Sequence, residues 1–487
     1  MTTFYFAIKF LFSLIYWLII ISVIIRIIIN KKIISVLISW LLIIYIFPLI
    51  GIITYLLFGE IYIGKKRKKE INNIWKYIQN FVSNIKNSKF LYSNKISKIS
   101  KSLLKLCKYY QGIDPLISKN IKLINNYEKY IIYLIKDINL AKKNIYIIFY
   151  IWKVGGLVDK VTDALILASK RGVSCRIILD LAGSINLFRT KYPKILKDSG
   201  IKIISALNIN IFEIFLRRMD LRQHKKIILI DNNISYIGSM NMVDPNLFKK
   251  KLKIGQWIDI MVRIESYINI IINIIFCYDW KIETGECILN SLPNIKLKNF
   301  NKNKFHYTIQ IIISGPGFPK EIIHRSLLIS IYSANKQIVI TTPYLIPSND
   351  LLNAICIASQ RGVKVHIIIP KKNNSILVKW ASRVFFAKLL RSGVLIHMFI
   401  GGFLHTKSIL IDKQLSLIGT VNLDMRSLWL NFEITLIVDN YNFGKNLAYI
   451  QRNYMNNSEI LKKENWYKRP FWKKIIERFF YFLNPLL

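Results

Sequence analysis

The feature that most constrains this chain is a sequence pattern that occurs twice. Residues 224–241 read HKKIILIDNNISYIGSMN and residues 405–422 read HTKSILIDKQLSLIGTVN, so both copies fit H-x-K-x4-D-x6-G-x2-N without a gap. Five fixed residues match a random start position roughly once in a million, so two copies do not arise by chance. A repeat on the scale of a domain predicts two similar units that each supply half of one site.

The spacing within each copy predicts which side chains share a face. IILI in the first copy is a short, apolar, β-branched run of the kind that forms a buried strand. His224 and Lys226 are two residues apart and project from one face, whereas Asp231 lies at an odd offset and points to the other. We therefore expect Asp231 behind the site, and the turn after it brings Asn241 back beside His224. In the second copy, His405 and Lys407 likewise share one face and Asp412 points to the other.

Two histidines and two lysines suit chemistry at a phosphodiester. A lysine neutralises the non-bridging oxygens and stabilises the charge of an in-line displacement. A neutral imidazole attacks phosphorus and a protonated one donates to the leaving oxygen, so two histidines can do both in one step. The pattern predicts no metal and no cofactor, because the cations come from the protein. A single H-x-K pair is more often an incidental feature of a strand, but two complete copies argue against that interpretation.

These residues resemble the phospholipase D superfamily, whose signature is a duplicated H-x-K-x4-D. Further segments are similar to bacterial cardiolipin synthases, and most narrowly to the cardiolipin synthase A group of enteric bacteria. They are NLDMRSLWLNFEIT (422–435), GQWIDIMVRIE (255–265), ISGPGFP (313–319), RRMDLRQHKK (217–226) and SMNMVDP (239–245). The resemblance extends over nearly the whole chain.

The resemblance implies a reaction and a role for each motif residue. In this family two phosphatidylglycerols give cardiolipin and free glycerol through a phosphohistidine intermediate. By the motif, His224 is the nucleophile and His405 the general acid. The remaining assignments are that Lys226 and Lys407 grip the phosphate, Asp231 and Asp412 orient the site, and Asn241, Asn422, Ser239 and Thr420 support it.

Two other functions are compatible with the same motifs or the same charge. Another superfamily enzyme, such as a phospholipase D or a phosphatidylserine synthase, would use the same histidines with a different acceptor. A non-catalytic, basic membrane protein that binds anionic lipid or nucleic acid is an alternative of a different class. Intact duplicated motifs argue against the second, since binding alone requires neither histidine.

The composition by itself is compatible with more than one partner. The formal net charge is +44 and hydrophobic residues make up 53% of the chain. Such a charge fits nucleic acid or an anionic lipid surface, and an A/T-rich genome, which favours Ile, Lys and Asn codons, also contributes to it. With the resemblance, the expected partners are phosphatidylglycerol and cardiolipin in a membrane, and not nucleic acid. Five scattered cysteines without a C-x-x-C pair favour reduced thiols and a cytoplasmic catalytic part.

The first 65 residues predict a transmembrane hairpin. Two apolar stretches, about 8–28 and 34–58, are joined by a turn at residues 30–32. The second is long enough to cross a bilayer, and the first is at the short limit, which Lys9 and Arg26 extend by reaching to the interfaces. The run KKRKK at 65–69 places the following chain in the cytoplasm by the positive-inside rule. These features predict a multi-pass protein of the bacterial inner membrane whose catalytic domains face the cytoplasm. A cleaved signal peptide is the alternative for the first stretch.

The rest of the chain predicts two α/β sandwich domains related by internal duplication. Residues 66–115 read as a basic linker, 116–300 as the first phospholipase D-like domain with its motif at 219–246, and 301–487 as the second, with its motif at 400–427. Each half has a strand, an amphipathic helix and a strand in order, and LILASKRGV aligns directly with ICIASQRGV. A pseudo-twofold axis would bring the two H-x-K strands together. The tail at 466–487 predicts an amphipathic helix that either lies in the membrane interface or closes the second domain.

Overall fold

A computed structural model describes residues 2–29, 34–85, 96–208, 218–247, 254–289, 307–319 and 321–482. The predicted turn at 30–32 lies outside these ranges. The chain forms two compact units: residues 1–65 with 209–221, called the small unit, and residues 66–208 with 222–487, called the large unit.

The small unit consists of apolar helices. They are α1 (Thr2–Ile29), α2 (Ile34–Ile46) and α3 (Pro48–Phe58). The apolar segment Phe4–Ile29 of α1 is 26 residues long, which is enough by length and composition to cross a membrane. This part of the structure therefore agrees with the first predicted span.

The second apolar stretch forms two helices where the sequence predicted one span. Pro48 cannot donate a backbone hydrogen bond, and the chain reverses at this point. The rings of Trp40 and Tyr55 are 5.3 Å apart, and a Cβ on Gly51 would lie 2.7 Å from the Cα of Ile44. These pairs make α2 and α3 an antiparallel hairpin. At 13 and 11 residues, the helices are about 20 and 16 Å long, short of the roughly 30 Å hydrocarbon core.

An ion pair fixes the level at which this hairpin ends. Arg26, near the end of α1, contacts Glu60, just after α3, at 2.8 Å. The hydroxyl of Tyr55 also donates to Glu60 at 2.8 Å. The chain therefore leaves α3 at the same level as the end of α1, and not at the level of its beginning.

The large unit is built from a continuous sheet with helices on its faces. Its helices are α4 (Lys65–Ile85), α5 (Lys98–Gln111), α6 (Tyr127–Leu140), α7 (Leu157–Lys170), α8 (Ile185–Phe188), α9 (Tyr192–Asp198), α10 (Ile268–Thr284), α11 (Ile322–Tyr332), α12 (Asn349–Gln360), α13 (Ile376–Arg391), α14 (Met425–Trp429), α15 (Tyr441–Asn456), α16 (Lys463–Tyr467) and α17 (Phe471–Phe482). Its strands are β1 (Leu116–Ile124), β2 (Asn144–Phe149), β3 (Ser174–Asp180), β4 (Lys202–Ala206), β5 (Arg222–Gln223), β6 (Ile227–Ile230), β7 (Ile234–Gly238), β8 (Trp257–Ile258), β9 (Met261–Ser266), β10 (Tyr307–Ser314), β11 (Gln337–Thr341), β12 (Lys364–Pro370), β13 (Leu395–Phe399), β14 (Phe403–Leu404), β15 (Ser408–Ile411), β16 (Leu415–Gly419), β17 (Asn431–Asp439) and β18 (Ser458–Ile460).

The strand order shows the internal duplication directly. The order is β18-β13-β12-β11-β15-β16-β17-β10-β1-β9-β7-β6-β2-β3-β4, with β5 paired to β17. Outward from the antiparallel β1–β10 pair, the strands β9, β7, β6, β2, β3 and β4 match β17, β16, β15, β11, β12 and β13. The predicted α/β fold in two related halves is confirmed, and the H-x-K strands β6 and β15 occupy equivalent places.

Apolar patterning explains how each half forms its core. NIYIIF in β2 and QIVIT in β11 are almost fully buried, and each is followed by an amphipathic helix and a parallel neighbour strand. Such near-continuous apolar strands are typical of a sheet covered on both faces. One core cluster lies in each half, and isoleucines and leucines are its commonest members.

The segment predicted as a basic linker contains two helices packed on the large unit. On α4, Ile71, Ile74 and Ile78 are buried, and Trp75 contacts the ring of Phe318 edge-on at 5.8 Å. Ser97 caps the start of α5, which ends at a glycine in left-handed conformation. The segment thus forms part of the packed structure.

The C-terminal helix α17 has features of both predicted roles, a helix that closes the second domain and a helix that lies in the membrane interface. Its Glu477 is buried and pairs with Arg383 of α13 at 2.8 Å and with Arg469 at 2.9 Å. Trp472 and Phe479, among others, are exposed on the opposite side. One face closes the second half, and the other presents apolar side chains.

Candidate active site

The two motif histidines each follow a two-residue strand and precede a buried one. His224 comes directly after β5 and is separated by two residues from β6, whose four residues Ile227–Ile230 are all buried. His405 comes after β14 and stands in the same relation to β15. Short strands on both sides of each histidine hold its backbone in place. The position from which each imidazole projects is therefore fixed by the local strands.

Each histidine is held by a carboxylate from the other half of the chain. The Nδ1 atom of His224 lies 2.8 Å from Glu433, and the Nδ1 atom of His405 lies 2.9 Å from Asp259. The backbones pair in the same crossed way: the N–H of His224 donates to the carbonyl of residue 432, and that of His405 to the carbonyl of residue 258. Neither half could orient its own histidine alone.

Ser239 and Thr420, expected as supporting residues, lie behind these carboxylates. The hydroxyl of Ser239 donates to the carbonyl of Ile260 at 3.3 Å and accepts from its N–H at 3.1 Å. Thr420 bonds in the same way to Ile434, at 3.2 and 3.0 Å. Each hydroxyl therefore fixes the strand residue that follows Asp259 or Glu433, and with it the carboxylate.

The motif lysines are fully enclosed beside the histidines. The Nζ of Lys226 donates to the carbonyl of His224 at 2.9 Å, and that of Lys407 donates to the carbonyl of His405 at 2.6 Å. Burial lowers the pKa of Lys226 to about 8 and that of Lys407 to about 7. An anion that enters the site would restore the charged form of both groups.

The two histidine–carboxylate pairs differ electrostatically. Burial lowers the pKa of His224 to about 4, so this imidazole is neutral at physiological pH. Burial would raise the pKa of Glu433, but its contacts with His224 and Lys226 bring the pKa below the usual value. Burial raises the pKa of Asp259 to about 7. The Glu433 pair thus holds a neutral imidazole beside a carboxylate, whereas the carboxyl of Asp259 is still partly protonated near neutral pH.

Both histidines line one cleft of about 990 Å³. Asn241 and Asn422 line it too, as expected for supporting residues. The amide oxygen of Asn241 accepts from the N–H of Ile151 at 3.3 Å, whereas its Nδ2 is buried and has no partner within the described ranges. This amide is therefore a spare donor on a residue that lines the cleft. No group of three or more metal-ligating side chains occurs in the part of the chain that the structure describes.

Asp231 and Asp412, expected behind the site from their parity and as orienting residues from the resemblance, contact neighbouring loops. Asp231 accepts hydrogen bonds from the backbone N–H groups of residues 142–144 at 2.7–3.0 Å. Asp412 does the same for residues 335–337 at 2.7–2.9 Å. Both adopt positive φ, 52° and 51°, in the turn after the motif strand. Each aspartate fixes the loop that leads into β2 or β11, away from the histidines.

The sequence motifs did not single out Asp259 or Glu433. Asp259 follows Asn241 by 18 residues, but Glu433 follows Asn422 by only 11, so the two copies do not align there. The sheet register shows their equivalence. Gly238 pairs with Met261 and Gly419 pairs with Thr435, and each carboxylate lies two residues before the partner of its glycine. The equivalence of Asp259 and Glu433 is therefore visible in the pairing of the strands and not in the spacing of the sequence.

The sequence has close relatives of known name. Residues 134–260 and 327–454 match the family described as cardiolipin synthase, PLD-like domain. The chain is 53% identical over 487 residues to cardiolipin synthase A of Buchnera aphidicola subsp. Acyrthosiphon pisum (strain APS), with 100% of both chains covered. It is 50% identical over 487 residues to cardiolipin synthase A of Pectobacterium atrosepticum, again with 100% of both covered.

A further relative and one solved structure agree with this placement. Cardiolipin synthase A of Wigglesworthia glossinidia brevipalpis is 55% identical over 480 residues, which is 99% of this chain and 97% of the relative. A phosphatidylserine synthase from Haemophilus influenzae shares the fold, with a TM-score of 0.56 at 15% identity over 80% of this chain and 98% of that one. Both histidine motifs are present, both halves match the family, and the relatives match over their full length. This chain therefore belongs to the bacterial cardiolipin synthase family of the phospholipase D superfamily.

Proposed function

We propose that this chain transfers a phosphatidyl group between two phosphatidylglycerol molecules, giving cardiolipin and glycerol through a phosphohistidine intermediate. The observation that carries the proposal is the crossed pairing of His224 with Glu433 and of His405 with Asp259 at one cleft. Because each Nδ1 is engaged, Nε2 is the nitrogen that each ring offers to a substrate.

In the first step, Nε2 of His224 attacks the phosphorus of one phosphatidylglycerol. The bond from phosphorus to the glycerol oxygen breaks, and His405 gives its proton to that oxygen, so glycerol leaves. The neutral state of His224 supports its role as nucleophile. The contact of His405 with Asp259 supports His405 as the acid, because a carboxylate at Nδ1 stabilises a protonated imidazole. Lys226 and Lys407 offset the negative charge on the non-bridging oxygens.

In the second step, a second phosphatidylglycerol takes the place of glycerol. His405, now neutral, accepts the proton of its terminal hydroxyl, and the oxygen attacks the phosphohistidine. The phosphorus–nitrogen bond breaks, His224 returns to its starting state, and cardiolipin leaves. One phosphodiester replaces another, so no nucleotide enters the reaction. Water in the acceptor position would give phosphatidic acid instead.

Product analysis tests this function. The full chain is reconstituted in vesicles of phosphatidylglycerol without added metal or nucleotide, and cardiolipin and glycerol are followed. We expect the two products in equal amounts, with both lost in His224→Ala and in His405→Ala. Phosphatidic acid without cardiolipin would instead identify water as the acceptor and the enzyme as a phospholipase. No turnover in the unaltered protein would contradict the proposal.

Membrane phospholipid is the substrate and partner of this enzyme. We infer that the net charge of +44 serves attraction to anionic lipid and not to nucleic acid. The lysine-rich start of α4 supports this, because it directly follows the apolar helices in sequence. If a nucleic acid competed with anionic vesicles for the protein at physiological salt, that inference would fail.

We further propose that α1 is the single full crossing of the bacterial inner membrane and that α2 and α3 re-enter from the cytoplasmic side. The Arg26–Glu60 pair supports this arrangement, because it returns the chain to the level at which α1 ends. The run at 65–69 then lies in the cytoplasm with the catalytic part, as the charge rule predicts. The N-terminus lies on the other side, unlike in the two-span prediction.

Single cysteines test this topology. Tyr5 and Ile61 are both exposed, so Tyr5→Cys and Ile61→Cys are made in a Cys287→Ser background that removes the exposed native thiol. A membrane-impermeant thiol reagent is added to spheroplasts before and after lysis. We expect labelling of residue 5 before lysis and of residue 61 only after it. Labelling of both positions only after lysis would restore the two-span arrangement.

A further inference from the structure

The proposed reaction places a chemical demand on the cleft that the two motifs do not meet. Cardiolipin carries two phosphodiesters, and only one of them is made in the reaction. The other enters intact with the second phosphatidylglycerol and stays one glycerol unit away from the reacting phosphorus. The paired histidines and lysines serve the reacting phosphate, so a second phosphate bound in the same cleft would be held by further cations.

Two arginines line the cleft in addition to the motif residues. Arg222 and Arg426 both face the space that His224 and His405 border, and both side chains are partly buried. Arg222 comes from the first half and Arg426 from the second. A cleft of about 990 Å³ has room for more than one phosphate group.

The arginines are held in place by the fold. Arg222 lies on β5, two residues before His224, and pairs in register with Asn431 of β17. Arg426 lies on the short helix α14, whose first turn is fixed by Asp424 accepting from the N–H of Ser427 at 2.7 Å. Both positions therefore depend on the same β17 region that carries Glu433. The arginine pair is assembled together with the catalytic pair.

Tyr150 places the arginines close to the reacting centre. Its ring lies 5.0 Å from the ring of His224 and also borders the cleft. Burial raises the pKa of Tyr150, while the charges of Arg222 and Arg426 act against that rise, and all three residues line the same cleft. A guanidinium has five N–H donors in a planar fork, so it can keep a protein partner and still bind a phosphate in bidentate fashion.

We propose that Arg222 and Arg426 bind the unreacted phosphodiester of the second phosphatidylglycerol, and so select a phospholipid over water or a small alcohol as acceptor. This assignment rests on the proposed function. A phosphatidyl transfer to water or free glycerol involves one phosphate and has no use for this subsite. The two arginines are thus specificity residues for the acceptor and do not touch the transferred phosphorus.

Two reactions of the same protein separate the two phosphates. Cardiolipin formation needs the second phosphate, whereas exchange of labelled free glycerol into phosphatidylglycerol uses only the phosphate that is transferred. For Arg222→Gln and Arg426→Gln in phosphatidylglycerol vesicles, we expect cardiolipin formation to fall by about 10-fold or more, as for the loss of a charge-assisted hydrogen bond. Glycerol exchange should stay within about 2-fold. Arg222→Lys, which keeps the charge but not the fork, should fall in between.

A matched control and three outcomes make the test decisive. Arg452→Gln removes the same charge from an exposed site on α15 that does not line the cleft, and should change neither reaction. Equal loss of both reactions in the arginine variants would overturn the subsite, because the arginines would then serve the transferred phosphate or the fold. Unchanged cardiolipin formation would overturn it as well. If the unaltered protein exchanged glycerol but formed no cardiolipin, the proposed function itself would fail.

Discussion

The Nδ1 atom of His224 lies 2.8 Å from the carboxylate of Glu433, a residue of the other half of the chain. His405 and Asp259 repeat this relationship in the opposite direction, at 2.9 Å. The catalytic pair therefore exists only when both halves have folded against each other. Duplication here does not give two sites but two incomplete halves of one.

Removing one carboxylate charge should abolish most activity without unfolding the protein. We expect Glu433→Gln and Asp259→Asn to lower kcat by about 10²- to 10⁴-fold, because an amide no longer fixes the imidazole tautomer or balances its charge. Cardiolipin formation in vesicles measures the effect. The thermal midpoint of unfolding should change little, since the amides preserve shape. Near-normal turnover in both variants would show that the crossed pairs do not orient the histidines.

The motif aspartates should affect stability more than chemistry. Asp231→Ala leaves three backbone N–H groups at residues 142–144 without their acceptor, which should cost about 1–3 kcal/mol of unfolding free energy. At a temperature where the variant stays folded, kcat should remain within about 10-fold of the original. Denaturant unfolding and vesicle activity are measured on the same preparation. A loss of activity as large as in His224→Ala, with unchanged stability, would place Asp231 in the reaction after all.

Activity should rise and fall within a defined pH range. Below about pH 4 His224 becomes protonated and cannot attack, because burial has lowered its pKa to about 4. Above about pH 7 the carboxyl of Asp259, with its pKa raised by burial to about 7, loses its proton, and Lys407, with its pKa lowered by burial to about 7, loses its charge. The pH profile of kcat/KM for phosphatidylglycerol tests both limbs, since it reports the free enzyme.

Lys407→Arg gives a control for the alkaline limb. A guanidinium stays charged throughout this range, so any part of the limb that belongs to Lys407 should disappear in the variant. The part that belongs to Asp259, whose pKa burial raises to about 7, should remain. A flat profile of the unaltered protein between pH 5 and 9 would contradict the paired-histidine scheme.

The bend between α2 and α3 should depend on Gly51. A Cβ at this position would lie 2.7 Å from the Cα of Ile44, so Gly51→Val must push the two helices apart. We expect a lower thermal midpoint and less protein in the membrane fraction. Ile50→Val, at a neighbouring exposed position, is the control and should behave as the original. If Gly51→Val were equally well tolerated, α2 and α3 would not pack as a close hairpin.

The sequence alone determined the duplicated motif, the order of strands and helices and the α/β fold of both halves. These features are local: apolar runs, periodicity and residue type specify them within a few neighbouring residues. The parity argument also placed Asp231 and Asp412 away from the histidines. Their actual contacts, with the loops before β2 and β11, lie about 90 and 75 residues distant in the chain.

Only the tertiary structure decided which groups meet. Asp259 and Glu433 carry no common spacing, and each acts on the other half, so their roles follow from strand register and the pseudo-twofold pairing. Hydropathy likewise gave an apolar stretch at 34–58 but not its reversal at Pro48, because a bend depends on backbone geometry and close packing rather than on apolarity. The same applies to the charges: burial in the assembled cleft, and not residue type, separates the pKa of His224 from that of a free imidazole.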